Sequence, residues 1–216
     1  MEMADQDVVS YGWTNDRKGF CYVILPVMKI MRRYFPNTNE VRVLDVGSGN
    51  GDLCGELNRA GYCVTGMEVD DAGCALARKR FPGISFHQLG VYDDPDIVKN
   101  NGLFDCVVST EVIEHLFRPQ FLPRFASSVL RKNGILIIST PYHGYFKNLI
   151  WSLFNHWDVH HAALWDGGHI KFFSRRTLTE LLVSMGFEVI EFKGVRRLPL
   201  LWSSMILVAI KRTPVC

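Results

Sequence analysis

The sequence predicts an α/β protein that is built on a mostly parallel β-sheet with helices on both faces. From Val41 onward, short runs of β-branched and apolar residues alternate with segments of helical pattern. That alternation is typical of βαβ units, in which a helix joins each strand to the next parallel strand. The first run, VRVLDV, ends in the glycine-rich turn GSGNG, which indicates a ligand-binding turn at the edge of the sheet.

Composition and charge narrow the classes of function. The 216 residues, 48% hydrophobic and 21% charged, are expected to form one globular domain spanning 1–216. With a net charge of +2 and no block of Lys and Arg, we expect no nucleic-acid partner. The six cysteines lack C-x-x-C spacing, which predicts a reducing, cytoplasmic environment. Neither the acidic start, MEMADQD, nor any apolar run has the features of a signal peptide or a membrane span.

The segment before the first strand predicts an amphipathic helix. Apolar residues recur at near-helical spacing within residues 19–36, and Pro26 is expected to kink or split the helix. We expect this helix to pack on the sheet and to cover part of the ligand site.

The chain after the glycine turn supplies the alternating elements of the sheet. Asp52 is expected to be the N-cap of a helix over Leu53–Ala60. The next predicted elements are a strand ending at Glu68, a helix over Asp71–Arg80, the strand ISFHQL, a helix or loop over Asp93–Asn101, the strand LFDCVVST, a helix over Phe121–Lys132 and the strand ILIIST. After an interruption at residues 142–170, the last elements are a helix over Ser174–Met185 and the strands FEVIEF and SMILVAIK. The hairpin-like segment between those two strands predicts that the last strand is antiparallel.

Residues at the carboxyl ends of the strands are the candidates for ligand binding, because ligands bind at that edge of an open α/β sheet. Asp45 lies two residues before the glycines, and Glu68 ends the second strand about twenty residues beyond the turn. An acidic side chain at the position of Glu68 can accept hydrogen bonds from both hydroxyls of a ribose. A glycine-rich turn alone also occurs as a plain strand-to-helix connection, so the turn by itself does not decide the matter.

Taken in order, VLDVGSGNG, VTGMEVD, FDCVVSTEVIEHL, NGILIIST and SMILVAIK resemble the class I S-adenosylmethionine-dependent methyltransferases. The resemblance implies a Rossmann-like, seven-stranded sheet with an antiparallel last strand, and S-adenosylmethionine as the cofactor. It implies that Asp45 and the glycine turn hold the methionine portion and that Glu68 holds the ribose. The residues it places at the cofactor are Asp45, Gly47, Ser48, Gly49, Gly51, Glu68, Val69, Val91 and Thr110. The stretch 88–91 departs from relatives that carry an acidic residue there for the adenine amine.

Within that class, EVIEHL followed by Arg118-Pro119 resembles the ubiquinone-biosynthesis O-methyltransferases and their relatives. The E-x-x-E-H motif implies that Glu111, Glu114 and His115 hold a divalent cation such as Mg²⁺ near the acceptor hydroxyl. Such a cation would lower the pKa of that hydroxyl and orient it toward the methyl group. The alternative is that no metal binds and that Glu114 and His115 orient the loop, in which case a histidine acts as general base.

Residues 142–170 form an inserted segment rich in aromatic residues and histidines. One interpretation is a lid over the acceptor, with His143 or His169 near the reacting atom. A second is a membrane-surface helix over residues 145–157, suited to a lipophilic substrate. A structural zinc site is disfavoured by the spacing, and the remaining interpretation is a helical cap whose histidines bond to the backbone.

We therefore expect an O-methyltransferase acting on a small or lipophilic, phenol- or quinol-like acceptor. The candidate bases are His115, His143 and His169. The alternatives are an N-, C- or carboxyl-methyltransferase for another metabolite, or a non-catalytic partner subunit with the same fold. The motif STPY follows the fifth strand, whereas the similar motif of amino-group nucleic-acid methyltransferases follows the fourth, so a nucleic-acid substrate is not expected.

Overall fold

The structure is a computed structural model that describes residues 21–99, 102–155 and 168–212. Its strands are β1 (Arg42–Val46), β2 (Cys63–Glu68), β3 (Ser85–Gln88), β4 (Phe104–Thr110), β5 (Leu130–Pro141), β6 (Phe187–Val195) and β7 (Ser204–Lys211). Its helices are α1 (Cys21–Tyr34), α2 (Asp52–Arg59), α3 (Asp71–Arg80), α4 (Asp96–Lys99), α5 (Phe121–Val129), α6 (Tyr145–Leu153) and α7 (Arg175–Ser184), with a 3₁₀-helix at Ile113–His115. The predictions made for residues 19–20 and 156–167 lie outside the described residues.

The seven strands form one sheet in the order β3-β2-β1-β4-β5-β7-β6. Neighbouring strands from β3 to β5 pair in parallel, and β7 pairs antiparallel with both β5 and β6. The predicted fold class, including the antiparallel last strand, is confirmed. Strand order reverses between β1 and β4, so the glycine turn after β1 lies beside the residues that follow β4. A reversal of this kind opens a crevice at the carboxyl edge of the sheet.

The core consists of two apolar layers, one on each face of the sheet. Consecutive strand residues alternate between the layers: Val43 and Ile137 pack on one face, and Leu44 and Leu136 pack on the other. The first layer is completed by α1, α2 and α3, and the second by α5 and α7. Because helices cover both faces of the sheet, a ligand can reach the sheet at the ends of the strands.

Helix α1 packs on the first layer through Val23, Val27, Ile30 and Met31, which are all buried. The helix runs through Pro26 within its bounds, so it is not split there. Its carboxyl end is tied to β6, because Arg33 and Tyr34 both bond to the Glu191 carboxylate, the tyrosine over 3.1 Å.

Two predicted helix boundaries were wrong. Helix α2 is preceded by Gly51, in left-handed conformation at φ 80°, and Asp52 is its first residue rather than its N-cap. The Asp52 carboxylate instead pairs with the Arg80 guanidinium at 2.6 Å. Helix α5 ends at Val129 rather than at Lys132, because Leu130 is buried as the first residue of β5 opposite Phe104.

The polar segment 93–101 contains one short helix, α4, and is otherwise irregular where it is described. None of the helices in the described part of the chain is long and apolar enough to cross a membrane.

Candidate active site

The glycine turn is held in a conformation that favours glycine at three positions. Gly47, Gly49 and Gly51 have φ values of 76°, 51° and 80°, in the left-handed region. A Cβ atom on Gly47 would lie 2.3 Å from a methyl carbon of Val112, which follows β4. The turn is fastened to β2, because the Gly47 and Ser48 N–H groups donate to the Met67 carbonyl at 2.8 and 2.9 Å. The glycines therefore let the turn lie close against β2 and against Val112, at the crevice between β1, β2 and β4.

Glu68 ends β2 beside this turn, as predicted from its spacing. Its buried carboxylate accepts hydrogen bonds from the Gly49 N–H at 2.7 Å and the Asp70 N–H at 3.0 Å. Burial raises the pKa of Glu68, and these backbone hydrogen bonds oppose the increase. The carboxylate is thus fixed in orientation at the edge of the crevice.

Asp45 is buried beneath the turn, with 1% of its surface exposed. One carboxylate oxygen accepts a hydrogen bond from the Cys54 thiol at 3.2 Å, and the other has no partner among the described residues. Burial raises the pKa of Asp45 to about 7. The Ser48 hydroxyl also lacks a partner within the described part of the chain. Since buried polar groups are normally hydrogen-bonded, these two groups fit a polar ligand.

The other predicted cofactor residues lie at the same edge of the sheet. Val69 is 48% exposed directly after Glu68, whereas Val91 is buried in the second apolar layer. Thr110 is the last residue of β4 and is half-buried. The Leu89 N–H donates to the Glu68 carbonyl at 3.0 Å, which keeps the stretch after β3 beside the end of β2.

Glu111 lies directly after β4 and bridges three strands. Its backbone is left-handed at φ 55°, which is uncommon for a residue other than glycine. One carboxylate oxygen accepts hydrogen bonds from the Ser139 hydroxyl at 2.7 Å and the Ser204 hydroxyl at 2.5 Å. Burial raises the pKa of Glu111, and the two hydroxyls and Lys147 oppose the increase. Glu111 therefore joins the ends of β4, β5 and β7.

Glu114 lies at the centre of a second cluster and is fully buried. One of its oxygens accepts a hydrogen bond from the Thr140 hydroxyl at 2.9 Å. The other has no hydrogen-bond partner among the described residues, and it lies 4.0 Å from Nε2 of both His115 and His169. Burial, with a smaller contribution from the Glu111 charge, holds the pKa of Glu114 well above its usual range.

The potential ligand atoms of Glu114, His115 and His169 all lie within 4.8 Å of one another. The 3₁₀-helix carries the first two, and the Ile170 and Lys171 N–H groups donate to the Glu114 carbonyl at 2.9 and 3.0 Å. These bonds bring His169, from the end of the inserted segment, against the E-x-x-E-H motif. Of the residues predicted to hold a metal, Glu114 and His115 belong to this group, and Glu111 faces Ser139 and Ser204.

His143, the third candidate base, has a different environment. The backbone N–H of His143 donates to the Phe173 carbonyl at 3.0 Å. Its imidazole ring packs edge-on against the Phe172 ring, with 5.1 Å between the ring centroids. The group of three metal-ligand candidates does not include it.

Sequence reasoning missed Lys147, which is 1% exposed in α6. Its ammonium donates to the Tyr142 carbonyl at 2.8 Å, and burial lowers its pKa to about 8. The available signal was the one cation in α6, which lies on the same helix face as Ile150 and Trp151, three and four residues further on.

Tyr22 was also missed, although it lies in the predicted first helix. Burial raises its pKa, and the Glu111 and Glu114 charges add to the increase. Tyr22 therefore brings α1 to the acidic groups that follow β4.

Comparison with known proteins decides the family. Residues 19–192 match the family profile described as a methyltransferase domain. The chain belongs to this methyltransferase family. It is a S-adenosylmethionine-dependent methyltransferase, as the resemblance implied.

Individual relatives of this methyltransferase are distant. The ubiquinone biosynthesis O-methyltransferase of Rickettsia canadensis is 23% identical over 205 residues, which cover 90% of this chain and 85% of that one. The enzyme of the same name from Paramagnetospirillum magneticum is 35% identical over 103 residues, so the match covers 45% of this chain and only 39% of the relative.

Two solved structures of similar fold differ in the activity that they are named for. Magnesium protoporphyrin IX methyltransferase from Synechocystis PCC 6803, with bound SAH, has a TM-score of 0.67 and 16% identity and covers 88% of this chain and 82% of that one. The [4+2]-cyclase SpnF has a TM-score of 0.67 and 17% identity, and the match covers 93% of this chain and 86% of that one. The shared fold therefore leaves the acceptor of this methyltransferase open.

Proposed function

We propose that this methyltransferase transfers a methyl group to a hydroxyl oxygen of a small, lipophilic, phenol- or quinol-like acceptor. The observation that carries the proposal is the cluster of Glu114, His115 and His169, which follows Val112, the residue that lies against Gly47 of the glycine turn. A hydroxyl must lose its proton to become a strong nucleophile, and a histidine suits that task near neutral pH. The name of the Rickettsia canadensis relative supports an O-methyl acceptor.

The cofactor fits the glycine turn because one oxygen of Asp45 and the hydroxyl of Ser48 have no hydrogen-bond partner among the described residues, and because Gly47, Gly49 and Gly51 add no side chains there. In this proposal Asp45 accepts from the amino group of the methionine portion, and Glu68 and Val69 hold the ribose and adenosine. Gly47, Gly49 and Gly51 give the backbone room, and Val91 and Thr110 complete the edge. The bound cofactor supplies a reactive sulfonium methyl group, and the protein aligns the acceptor and excludes water.

A histidine of the pair His115 and His169 takes the proton of the acceptor hydroxyl as the oxygen bonds to the methyl carbon. The carbon–sulfur bond breaks with its electrons remaining on sulfur, so the products are a methyl ether, S-adenosylhomocysteine and a protonated imidazole. Glu114, one oxygen of which lies 4.0 Å from both Nε2 atoms, orients the two imidazoles, and the proton passes from the histidine to solvent.

The Mg²⁺ implied by the resemblance does not fit this donor set. Mg²⁺ prefers oxygen ligands, whereas the group within 4.8 Å offers one carboxylate and two imidazoles. The other carboxylate of the motif, Glu111, accepts hydrogen bonds from Ser139 and Ser204. We therefore base the mechanism on a histidine. Activity that survives chelation by EDTA would agree with this assignment, and activity restored only by added Mg²⁺ would contradict it.

The test is methyl transfer from labelled cofactor to pooled phenols, quinols, amines and carboxylates, read as a mass gain of one methyl group. We expect O-methyl products, and the variants His115→Asn and His169→Asn should identify the base through a loss in kcat of roughly 10²–10⁴-fold at unchanged cofactor affinity. His87→Asn, on the edge strand β3 and outside the group of Glu114, His115 and His169, is the matched histidine control. Exclusive methylation of nitrogen, carbon or carboxylate acceptors would refute the proposal, and a loss confined to His143→Asn would move the base to that residue.

We also propose that α6 contacts a membrane surface, as predicted for residues 145–157, of which 156–157 lie outside the described residues. The exposed apolar side chains Tyr145, Leu153 and Phe154 support this proposal, each being at least 66% exposed. Leu153→Asp should reduce flotation with anionic vesicles, whereas Val183→Asp, at an exposed apolar site on α7, should not. Equal flotation of both variants and the wild type would contradict the contact.

A further inference from the structure

Glu114, His115 and His169 form a compact group of one carboxylate and two imidazoles. Their potential ligand atoms all lie within 4.8 Å of one another. Zinc binds protein nitrogen and oxygen atoms at about 2.0–2.2 Å, so side-chain movements of under about 1 Å would bring all three atoms to one cation. The group therefore has the size and the donor types of a transition-metal site, although its donor set does not fit Mg²⁺.

The His115 ring is held in the tautomer that a metal ligand requires. Its Nδ1 lies 3.2 Å from the Gly168 carbonyl oxygen. A carbonyl oxygen only accepts hydrogen bonds, so Nδ1 donates its proton there and Nε2 of the neutral ring carries a lone pair. Histidine ligands of metals commonly donate their other ring N–H to a carbonyl oxygen in this way, which fixes the orientation of the ring.

A second electron-pair donor lies close to Nε2 of His115. The Glu114 oxygen at 4.0 Å from that nitrogen is buried and has no hydrogen-bond partner among the described residues. The same oxygen lies 4.0 Å from Nε2 of His169. A carboxylate oxygen and an imidazole nitrogen that both carry lone pairs cannot hydrogen-bond to each other, whereas a cation between them would bind both.

Hydrogen bonds around the group fix the positions of its members. The second Glu114 oxygen accepts from the Thr140 hydroxyl at 2.9 Å. The Glu114 carbonyl accepts from the N–H groups of Ile170 and Lys171, which hold the chain just after His169 against the 3₁₀-helix. The two imidazole rings meet edge-on, with 4.9 Å between their centroids. Bonds of this kind orient metal ligands and raise the affinity of a site.

We propose that Glu114, His115 and His169 bind a transition-metal cation such as Zn²⁺, and that the bound cation inhibits methyl transfer. The inhibition rests on the proposed function, in which a histidine of this group takes the proton of the acceptor hydroxyl. An imidazole nitrogen coordinated to Zn²⁺ has donated its lone pair to the metal, so it cannot accept that proton. The cation thus acts in the opposite sense to the Mg²⁺ that the E-x-x-E-H motif implied, and it uses His169 in place of Glu111.

The first experiment measures metal binding to the full chain by calorimetry, without cofactor or acceptor, after dialysis against a chelator. We expect the wild type to bind Zn²⁺ and to show no measurable binding of Mg²⁺ under the same conditions, because imidazole ligands favour Zn²⁺. Absence of Zn²⁺ binding, or preferential binding of Mg²⁺, would overturn the inference.

Variants locate the site. His169→Ala and Glu114→Gln should each weaken Zn²⁺ binding by more than the roughly 10–100-fold that the loss of an outer-shell partner costs, and Thr140→Val, which removes such a partner, by that factor. Two matched controls should keep the affinity of the wild type: His87→Asn, on the edge strand β3, and Cys63→Ser, at an exposed thiol. If buried Glu114→Gln does not fold, His169→Ala still decides the question, because the His169 side chain is 30% exposed.

The second experiment titrates Zn²⁺ into the methyl-transfer assay. We expect a progressive loss of activity that EDTA reverses. In Thr140→Val, the Zn²⁺ concentration that halves the activity should rise by the same factor as the dissociation constant. This agreement separates inhibition at the group from the effects of zinc bound elsewhere.

Unchanged Zn²⁺ affinity in His169→Ala, an equal loss of affinity in His87→Asn, or methyl transfer that increases with stoichiometric Zn²⁺ would also overturn the inference. The binding experiment contains no acceptor, so its result does not depend on O-methyl transfer. A chain that binds Zn²⁺ at the group but methylates no hydroxyl would refute the proposed function and leave the metal site standing. A chain that methylates a hydroxyl but binds no Zn²⁺ would refute only this inference.

Discussion

Replacing Asp45 with asparagine should stabilise the protein at neutral pH and weaken cofactor binding. Asp45 is buried, and one of its oxygens has no partner among the described residues. Burial raises its pKa from 3.8 to about 7. The folded protein therefore holds a proton more tightly than the unfolded chain does. Its free energy of unfolding falls as pH rises from about 4 to about 7, and the full loss persists above pH 7.

The size of the effect follows from the shift in pKa. A difference of about three units at roughly 1.4 kcal/mol per unit corresponds to about 4 kcal/mol. Asparagine has nearly the same shape and cannot ionise, so Asp45→Asn escapes this loss. We expect the variant to exceed the wild type by up to about 4 kcal/mol at pH 8 and to match it below pH 4.

The assay is urea unfolding of both proteins without cofactor at pH 4, 6 and 8, with cofactor affinity measured by calorimetry at pH 8. The control is Asp105→Asn, at a carboxylate that pairs with Arg131 at 2.7 Å and should lose stability when neutralised. Asp45→Asn should bind S-adenosylhomocysteine roughly tenfold more weakly, because an amide cannot pair with its amino group as a carboxylate does. A stability gap that is absent at pH 8, or largest at pH 4, would refute the reasoning.

Three further changes address the crevice and its support. Glu68→Gln should lower the affinity for S-adenosylhomocysteine about tenfold, as measured by calorimetry. The two oxygens of the Glu68 carboxylate accept hydrogen bonds from two backbone N–H groups, and the amide nitrogen of glutamine could not accept the bond that it replaces. Gly47→Ala should lower the free energy of urea unfolding by about 1–3 kcal/mol, because its Cβ would meet a side chain at 2.3 Å. Gly83→Ala, with open space around it, should be neutral, and equal effects of the two would contradict this. Ser204→Ala removes one donor to buried Glu111 and should cost about 1–3 kcal/mol by urea unfolding; an unchanged midpoint would show that the bond is dispensable.

The sheet was predictable because its signals are local. Strands β2, β4 and β7 were found within one or two residues, since each is a short apolar run bounded by polar or glycine residues. The limits of α3 matched Asp71–Arg80, because an aspartate cap precedes the helix and a Pro-Gly pair follows it. Errors occurred where tertiary contacts override local pattern. Leu130 has helical neighbours in sequence, yet its burial against Phe104 draws it into β5.

The candidate site was predictable only in the parts that lie in continuous motifs. The glycine turn and Glu68 are related by a fixed spacing, which a sequence displays. The approach of His169 to Glu114 is not, because two backbone hydrogen bonds across more than fifty residues produce it. The burial of Lys147 likewise depends on a loop about fifty residues further along the chain. A cation in an apolar helix indicates an unusual position without indicating what surrounds it.

The buried polar groups of the site explain why binding and stability should oppose each other in this enzyme. Asp45, Glu111, Glu114 and Lys147 are all buried at one edge of the sheet. Folded domains are stable by only about 5–15 kcal/mol, and burying an incompletely paired polar group costs about 1–3 kcal/mol. The oxygens of Asp45 and Glu114 that have no partner among the described residues thus offset a large share of that stability. A ligand that hydrogen-bonds to these oxygens removes that cost when it binds. The groups that lower the stability of the free protein therefore raise its affinity for the cofactor and the acceptor and help to align them.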